Sequence, residues 1–326
     1  METSPLPAAE PGRRLEHFPI SFFAMIMGLA GLAIAWEKAQ QVTGLELYVT
    51  PWLAGFVALM FVLLASIYAL KWVRYSAAVV AEFRHPIKLN FFPAISISLL
   101  LLAVALMPFG TGVSRWLWAS GATLHLGFTL HVVNAWIHQQ HFELHHMNPA
   151  WFIPAVGNVL VPLAGVSLGQ FEISWFFFSV GLAFWLILLT ILFYRVMFHH
   201  PLPDKLLPTL FILIAPPAVG FVAYLRLVGE LDAFGRVLYF VALFFTLLLF
   251  VQLGRFLKLR FFLSWWAYSF PLAAISIASF VMHEQTTIAA YFYLGWGLLL
   301  ALTAVIALLL VRTVGAVRKH GICLPE

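Results

Sequence analysis

Charge is what this sequence has least of. Only 10% of its 326 residues are Asp, Glu, Lys or Arg, where a water-soluble domain carries about 25%. With 63% hydrophobic residues and a mean hydropathy of +0.97, the chain cannot cover a surface in water. It reads as a polytopic membrane protein, and the bacterial plasma membrane is the expected location. Cysteine is nearly absent. Cys323 stands alone, which excludes an intrachain disulfide and points to a reduced, cytosolic C-terminal end. The net charge of +5 is modest, and no stretch resembles a nucleic-acid patch. A Gly-rich phosphate loop, a nucleophile elbow and a Cys ligand set are all missing, so neither a cofactor nor an enzyme activity is expected.

What is present is a succession of apolar runs about 20 residues long, the length that crosses roughly 30 Å of hydrocarbon. They lie near 18–36, 52–70, 91–109, 116–137, 151–169, 173–194, 206–225, 234–253, 262–282 and 287–311. Residues 1–16 are Pro-rich and polar, lack the apolar core of a signal peptide, and are expected to be a disordered tail. A ten-span domain is then expected over 17–312, followed by a short tail over 313–326. With the N-terminus inside, only Lys38, Arg115, Arg226 and Arg236 face out, and the other 14 of the 18 basic residues face in. That bias favours ten spans with both termini cytoplasmic.

Proline separates odd spans from even ones. Pro19, Pro93, Pro154 and Pro162, Pro208, Pro216 and Pro217, and Pro271 fall in spans 1, 3, 5, 7 and 9, while the even spans have no proline in their apolar interiors. Proline removes a backbone donor and bends a helix, and in lipid the freed carbonyls need protein or water beside them. The odd spans also carry small residues that permit close packing or line a cavity, among them Gly28, Ser96, Gly157, Ser269 and Ser276. The expected fold is therefore all-α, five helical hairpins with kinked odd helices (at Pro19, Pro93, Pro154, Pro216 and Pro271) around a central pore and even helices facing lipid. The plainer reading is that proline and glycine are simply commoner in membrane helices. Within LSWWAYSFPLAAISIASF, Phe270 precedes Pro271. A residue before proline is pushed away from helical geometry, so a bulky ring is expected at an irregular point where it can plug a path.

HFPISFFAMIMGLAGLAIAW (His17–Trp36), HPIKLNFFP (His85–Pro93), NPAWFIPAVGNVLVPLAG (Asn148–Gly165), LPTLFILIAPPAVGFVAY (Leu207–Tyr224) and WWAYSFPLAAISIASF (Trp265–Phe280) follow one another on alternate spans. In that order they resemble the tellurite-resistance/dicarboxylate transporter family, which includes the plant guard-cell slow anion channel. The resemblance covers essentially all of the chain after residue 16. It implies five hairpins around a pore, a homotrimer with one pore per protomer, anion permeation, and a phenylalanine gate that the WWAYSFP match places at Phe270.

Apart from Arg236, third residue of the run 234–253, the apolar runs hold no Asp, Glu, Lys or Arg. Intramembrane charges mark proton relays and substrate sites, and cation pores use acidic rings. Their absence favours a passive channel for weakly hydrated monovalent anions such as chloride and nitrate. One alternative is a proton-coupled exporter of C4-dicarboxylate, sulphite or tellurite. The other starts from HQQHFELHH (His138–His146). With His138, His141, His145, His146, His199 and His200 as ligands, a membrane metal oxidase would be conceivable, although such enzymes need more histidine boxes than these. No metal site is therefore expected.

Overall fold

The computed structural model describes residues 14–323 apart from positions 46, 140 and 141. Among them the chain is helical, with no strand. The helices are α1 (Phe23–Thr43), α2 (Thr50–Arg74), α3 (Ser76–Arg84), α4 (Ala94–Leu106), α5 (Thr111–His138), α6 (Phe152–Val156), α7 (Val161–Gly165) and α8 (Phe171–Phe198). They continue with α9 (Ala215–Val228), α10 (Ala233–Val251), α11 (Leu253–Phe256), α12 (Ser269–Thr286) and α13 (Ala289–Arg318). The N-terminal tail expected over 1–16 lies outside the described residues as far as position 13. At the other end α13 continues to Arg318, past the boundary expected at 312.

Among the described residues, eight stretches are long and apolar enough to cross a membrane. Two stretches expected to cross differ from these. α5 has the length, 28 residues, but Arg115, His125, His131, Asn134 and His138 dilute its apolar character. Pro149–Gly165 is apolar but short, and it is broken into a 3₁₀ turn, α6, a second 3₁₀ turn at Gly157–Leu160, and α7.

Burial alternates along the chain. In Ile20–Thr43, Lys88–Phe109, Leu207–Val228 and Leu263–Thr286, 72% of the most apolar window is buried. In Thr50–Arg74, Phe171–Phe198, Ala233–Val251 and Ala289–Arg318 the figure is only 22%, 33%, 39% and 33%. The exposed faces of this second group carry large apolar side chains, including Trp52, Leu59, Phe176, Phe244 and Leu300. Apolar surface on that scale is stable only against something apolar. Packing pairs each buried stretch with the exposed helix that follows it: α1 with α2, α4 with α5, α6 and α7 with α8, α9 with α10, and α12 with α13. The buried stretches also close on themselves, α1 against α4, α4 against α7, α7 against α9, α9 against α12, and α12 against α1. That is a ring of five.

Each member of the ring changes helical type near a proline. Pro19 caps a 3₁₀ turn, Ile20–Phe22, that runs into α1. Pro93 stands between the 3₁₀ turn Lys88–Phe91 and α4. Pro154 lies in α6, just before the 3₁₀ turn Gly157–Leu160. Pro216 is the second residue of α9, after 3₁₀ Leu207–Leu213, and Pro271 the third residue of α12, after 3₁₀ Leu263–Tyr268. A proline in the first turn removes an N–H that has no intrahelical partner there, so the change of pitch costs little. This corrects one expectation. Phe270 is not displaced from helical geometry; it lies in the first turn of α12, and the irregular backbone precedes it.

Candidate functional site, two cavities within the helix ring

Two cavities lie inside the ring. The smaller, of about 70 Å³, is bordered by Ala24 and Met27 of α1, Phe91 and Ile97, residues of Phe152–Leu160, Ala215 and Pro216 of α9, and Trp266, Phe270 and Pro271. All five ring members contribute to it. The larger, of about 370 Å³, is bordered by the other ends of the same five members, from Ile34 and Glu37 on α1 to Ile277 and Glu284 on α12. None of α2, α5, α8, α10 and α13 contributes a residue to either wall.

No residue borders both cavities. On α1 the first ends at Met27 and the second begins at Ile34, an interval of about 10 Å along the helix. In that interval α1 and α12 meet through small residues. A Cβ built on Gly28 would stand 2.0 Å from Ser269 Oγ, and one on Gly31 would stand 2.8 Å from Ala273 Cβ and 3.3 Å from Phe270 Cδ2. Phe270 is half-buried, in contact with α1 at Gly31, and it borders the small cavity.

Of the small residues singled out in the odd spans, Gly157 borders the small cavity. The rest serve packing. Gly28 and Ser269 face each other, and Ser269 donates to Trp266 O at 2.6 Å. Ser96 donates to Pro93 O at 2.8 Å and lies 2.9 Å from His125 Nδ1. Ser276 turns outward and donates to Gly295 O of α13 at 2.9 Å. Among the prolines, Pro216 and Pro271 border the small cavity, while Pro19, Pro93 and Pro154 do not. Its wall is therefore apolar in its side chains, not lined by hydroxyls. At that wall α9 continues from the 3₁₀ segment Leu207–Leu213 and α12 from Leu263–Tyr268, so neither presents a free helix terminus there.

The larger cavity is polar. Lys38 is ion-paired to Glu284, and Gln41 donates to Glu37 Oε1 at 3.0 Å. Arg226 donates to Leu163 O and, at 3.4 Å, to Ser167 Oγ; among the described residues no carboxylate pairs with it. Sequence reasoning had assigned Lys38 and Arg226 to outer loops; the register of the helix ends brings them to one mouth. A buried ion pair was likewise missed. Lys71 Nζ, 1% exposed, lies 2.8 Å from Glu82 Oε2 and donates to Phe18 O at 2.8 Å, while Tyr68 OH donates to the same Glu82 oxygen at 2.9 Å. Glu82 comes from α3, so the pairing depends on a fold-back that no local pattern announces.

The histidines are not gathered. The His145 and His146 rings lie with centres 3.9 Å apart, tilted by 48°, His138 Nδ1 lies 3.0 Å from Asn134 O, and His199 packs edge-on to Tyr194. His141 lies outside the described residues. Among the described residues no group of three metal-ligating side chains forms.

The family described as voltage-dependent anion channel matches residues 17–314 of this sequence. The chain belongs to that family. Among its relatives, S-type anion channel SLAH3 of Arabidopsis thaliana is 34% identical over 272 residues, 81% of this chain and 43% of that protein. S-type anion channel SLAH2 of the same plant is 33% identical over 285 residues, 84% of this chain and 54% of its own length. The tellurite resistance protein TehA homolog of Haemophilus influenzae is 29% identical over 273 residues, 79% of each chain. The chain spans about half the length of the two plant relatives. As a voltage-dependent anion channel family member it is a multi-pass integral membrane protein, and the family is one of channels, not enzymes. The metal-oxidase alternative is set aside on that ground.

Proposed function

We propose that this protein is a passive channel for monovalent anions such as chloride and nitrate, held closed by the Phe270 side chain. The observation that carries this reading is the pair of cavities built from the five ring members alone, with Phe270 packed on Gly31 in the interval between them. Anions are favoured over cations because the small cavity has no carboxylate among its bordering side chains and the relatives include anion channels. An apolar wall without a fixed cation binds no anion tightly, so selection follows ease of dehydration and discriminates weakly. At the larger cavity Lys38 and Arg226 are matched in number by Glu37 and Glu284, so that mouth carries no net charge.

The reading includes ten spans in five hairpins, the exposed helices against lipid, both termini cytoplasmic and three protomers with one path each. The anion channels among the relatives support the substrate class.

Liposomes holding the purified protein provide the test. Anion efflux that tracks an imposed potential and is indifferent to a pH gradient is expected. Uptake that requires the pH gradient would replace this reading with a proton-coupled exporter of dicarboxylate, sulphite or tellurite.

A further inference from the structure

α3 is a nine-residue helix, too short to cross a membrane, set between two stretches that can, Thr50–Arg74 and Lys88–Phe109. Its two ends therefore return to one face of the membrane, and α3 sits at that face. One side of it is covered. Val79 and Glu82 are buried and Phe83 is half-buried, while Ser76, Ala77, Val80, Ala81 and Arg84 are exposed. The covered side is pinned to the molecule. Glu82 Oε2 accepts from Lys71 Nζ at 2.8 Å and from Tyr68 OH at 2.9 Å. The Phe83 ring stacks on His131 of α5 with centres 4.6 Å apart and meets Phe92 edge-on at 4.8 Å.

The exposed side is both apolar and basic. Ala77, Val80 and Ala81 recur at the spacing of one helix face, and the last turn of α2 exposes Trp72 and Val73 just before them. An apolar stripe on a helix at the membrane face is covered when that helix lies at the boundary of headgroups and acyl chains. Arg74 and Arg84 are exposed beside it, and among the described residues neither enters an ion pair. The one carboxylate between positions 71 and 90 is Glu82, and it faces inward to Lys71. The outer surface of this segment is therefore cationic and has no carboxylate of its own.

We propose that α3 and the end of α2 form a seat for anionic phospholipid, with Ala77, Val80 and Ala81 against the upper acyl chains and Arg74 and Arg84 at headgroup phosphates. Guanidinium groups suit that partner, because their planar donors pair with phosphate oxygens two at a time. Trp72 anchors the same level, as aromatic side chains do at the membrane interface. A zwitterionic headgroup presents its phosphate with a cation beside it and is the weaker ligand. Glu82 joins the seat to Lys71, and Lys71 donates to Phe18 O at 2.8 Å. The lipid thus rests on the element that ties α2 to the approach of α1.

The test uses the full chain in lipid nanodiscs. A nitroxide is placed on Val80→Cys in a Cys323→Ser background, which leaves no other thiol. The label is expected to be open to oxygen and shielded from a water-soluble nickel chelate; free access of the chelate would put this side of α3 in water and overturn the proposal. Native mass spectrometry of protein released from discs of equimolar phosphatidylglycerol and phosphatidylcholine is expected to show phosphatidylglycerol retained in preference. Arg74→Gln and Arg84→Gln are each expected to weaken that retention about fivefold, the worth of one basic residue at an anionic surface. Neither arginine has a charged partner among the described residues, so both variants are expected to fold. Arg255→Gln/Arg260→Gln, on another loop, is expected to retain the lipid as wild type does. No loss in either α3 variant, or an equal loss in the Arg255/Arg260 variant, would overturn the proposal. Phosphatidylglycerol is expected to raise the melting temperature above that in phosphatidylcholine discs, and inorganic phosphate is expected to leave it unchanged. A rise with inorganic phosphate alone would make the ligand a free anion and overturn the lipid assignment.

Discussion

Gly31 of α1 lies against the ring of Phe270 on α12, with a Cβ at position 31 placed 3.3 Å from Phe270 Cδ2. This contact sits between the two cavities, and a helical turn away Gly28 lies under Ser269 in the same way. The position of the Phe270 side chain is therefore set by how closely α1 approaches α12, and that approach is set by two glycines.

Gly28→Ala tests the spacing. Its new Cβ would meet Ser269 Oγ at 2.0 Å and Ser269 Cβ at 2.7 Å, and overpacking of this kind costs about 1–3 kcal/mol. A lower melting temperature is expected in detergent, with recovery in Gly28→Ala/Ser269→Gly because the two sites are in contact. Failure of the second substitution to restore the melt would mean that the clash is relieved elsewhere.

The Lys71–Glu82 pair ties α2 and α3 to the backbone of Phe18, just ahead of α1. Removing one partner strands a buried charge. Glu82→Gln or Lys71→Met is expected to destabilise by about 3–5 kcal/mol, while Lys71→Met/Glu82→Leu loses much less. A double variant as damaged as the sum of the single ones would show that the pair is not coupled.

Asp232 gives a pH dependence outside the membrane. Its carboxylate caps α10 by accepting from Gly235 N–H at 2.8 Å. That bond, first, and the Tyr224 hydroxyl, second, hold it below the ordinary carboxylate value. A depressed folded pKa contributes stability that is present above the unfolded pKa and lost as pH falls through the folded one. Wild type is expected to melt above Asp232→Asn at neutral pH, the gap closing below about pH 4. A gap that stays constant down to pH 3 would remove the carboxylate from the account.

Much of the architecture was legible in the sequence because proline acts locally. Pro93, Pro216 and Pro271 mark ring members through backbone chemistry that needs no neighbour to be seen. Azimuth was not legible. A serine at 96, 269 or 276 suits a pore wall and a close helix contact equally well, and only packing decides between them; here it chose contacts. Nor could sequence reveal that His125, on an outer helix, reaches the back of Gly157, or that Glu82 on the short α3 returns to Lys71. Phe270 drew attention through its proline, and the helix begins one residue before it and not after.

The most direct measurement is the current carried by wild type and by Phe270→Ala in planar bilayers bathed in chloride, with equal surface or membrane content verified. A small wild-type current and a much larger one in Phe270→Ala, both reversing at the chloride potential, is the expected result. Equal currents in the two proteins, or silence in both, would contradict the closure at Phe270.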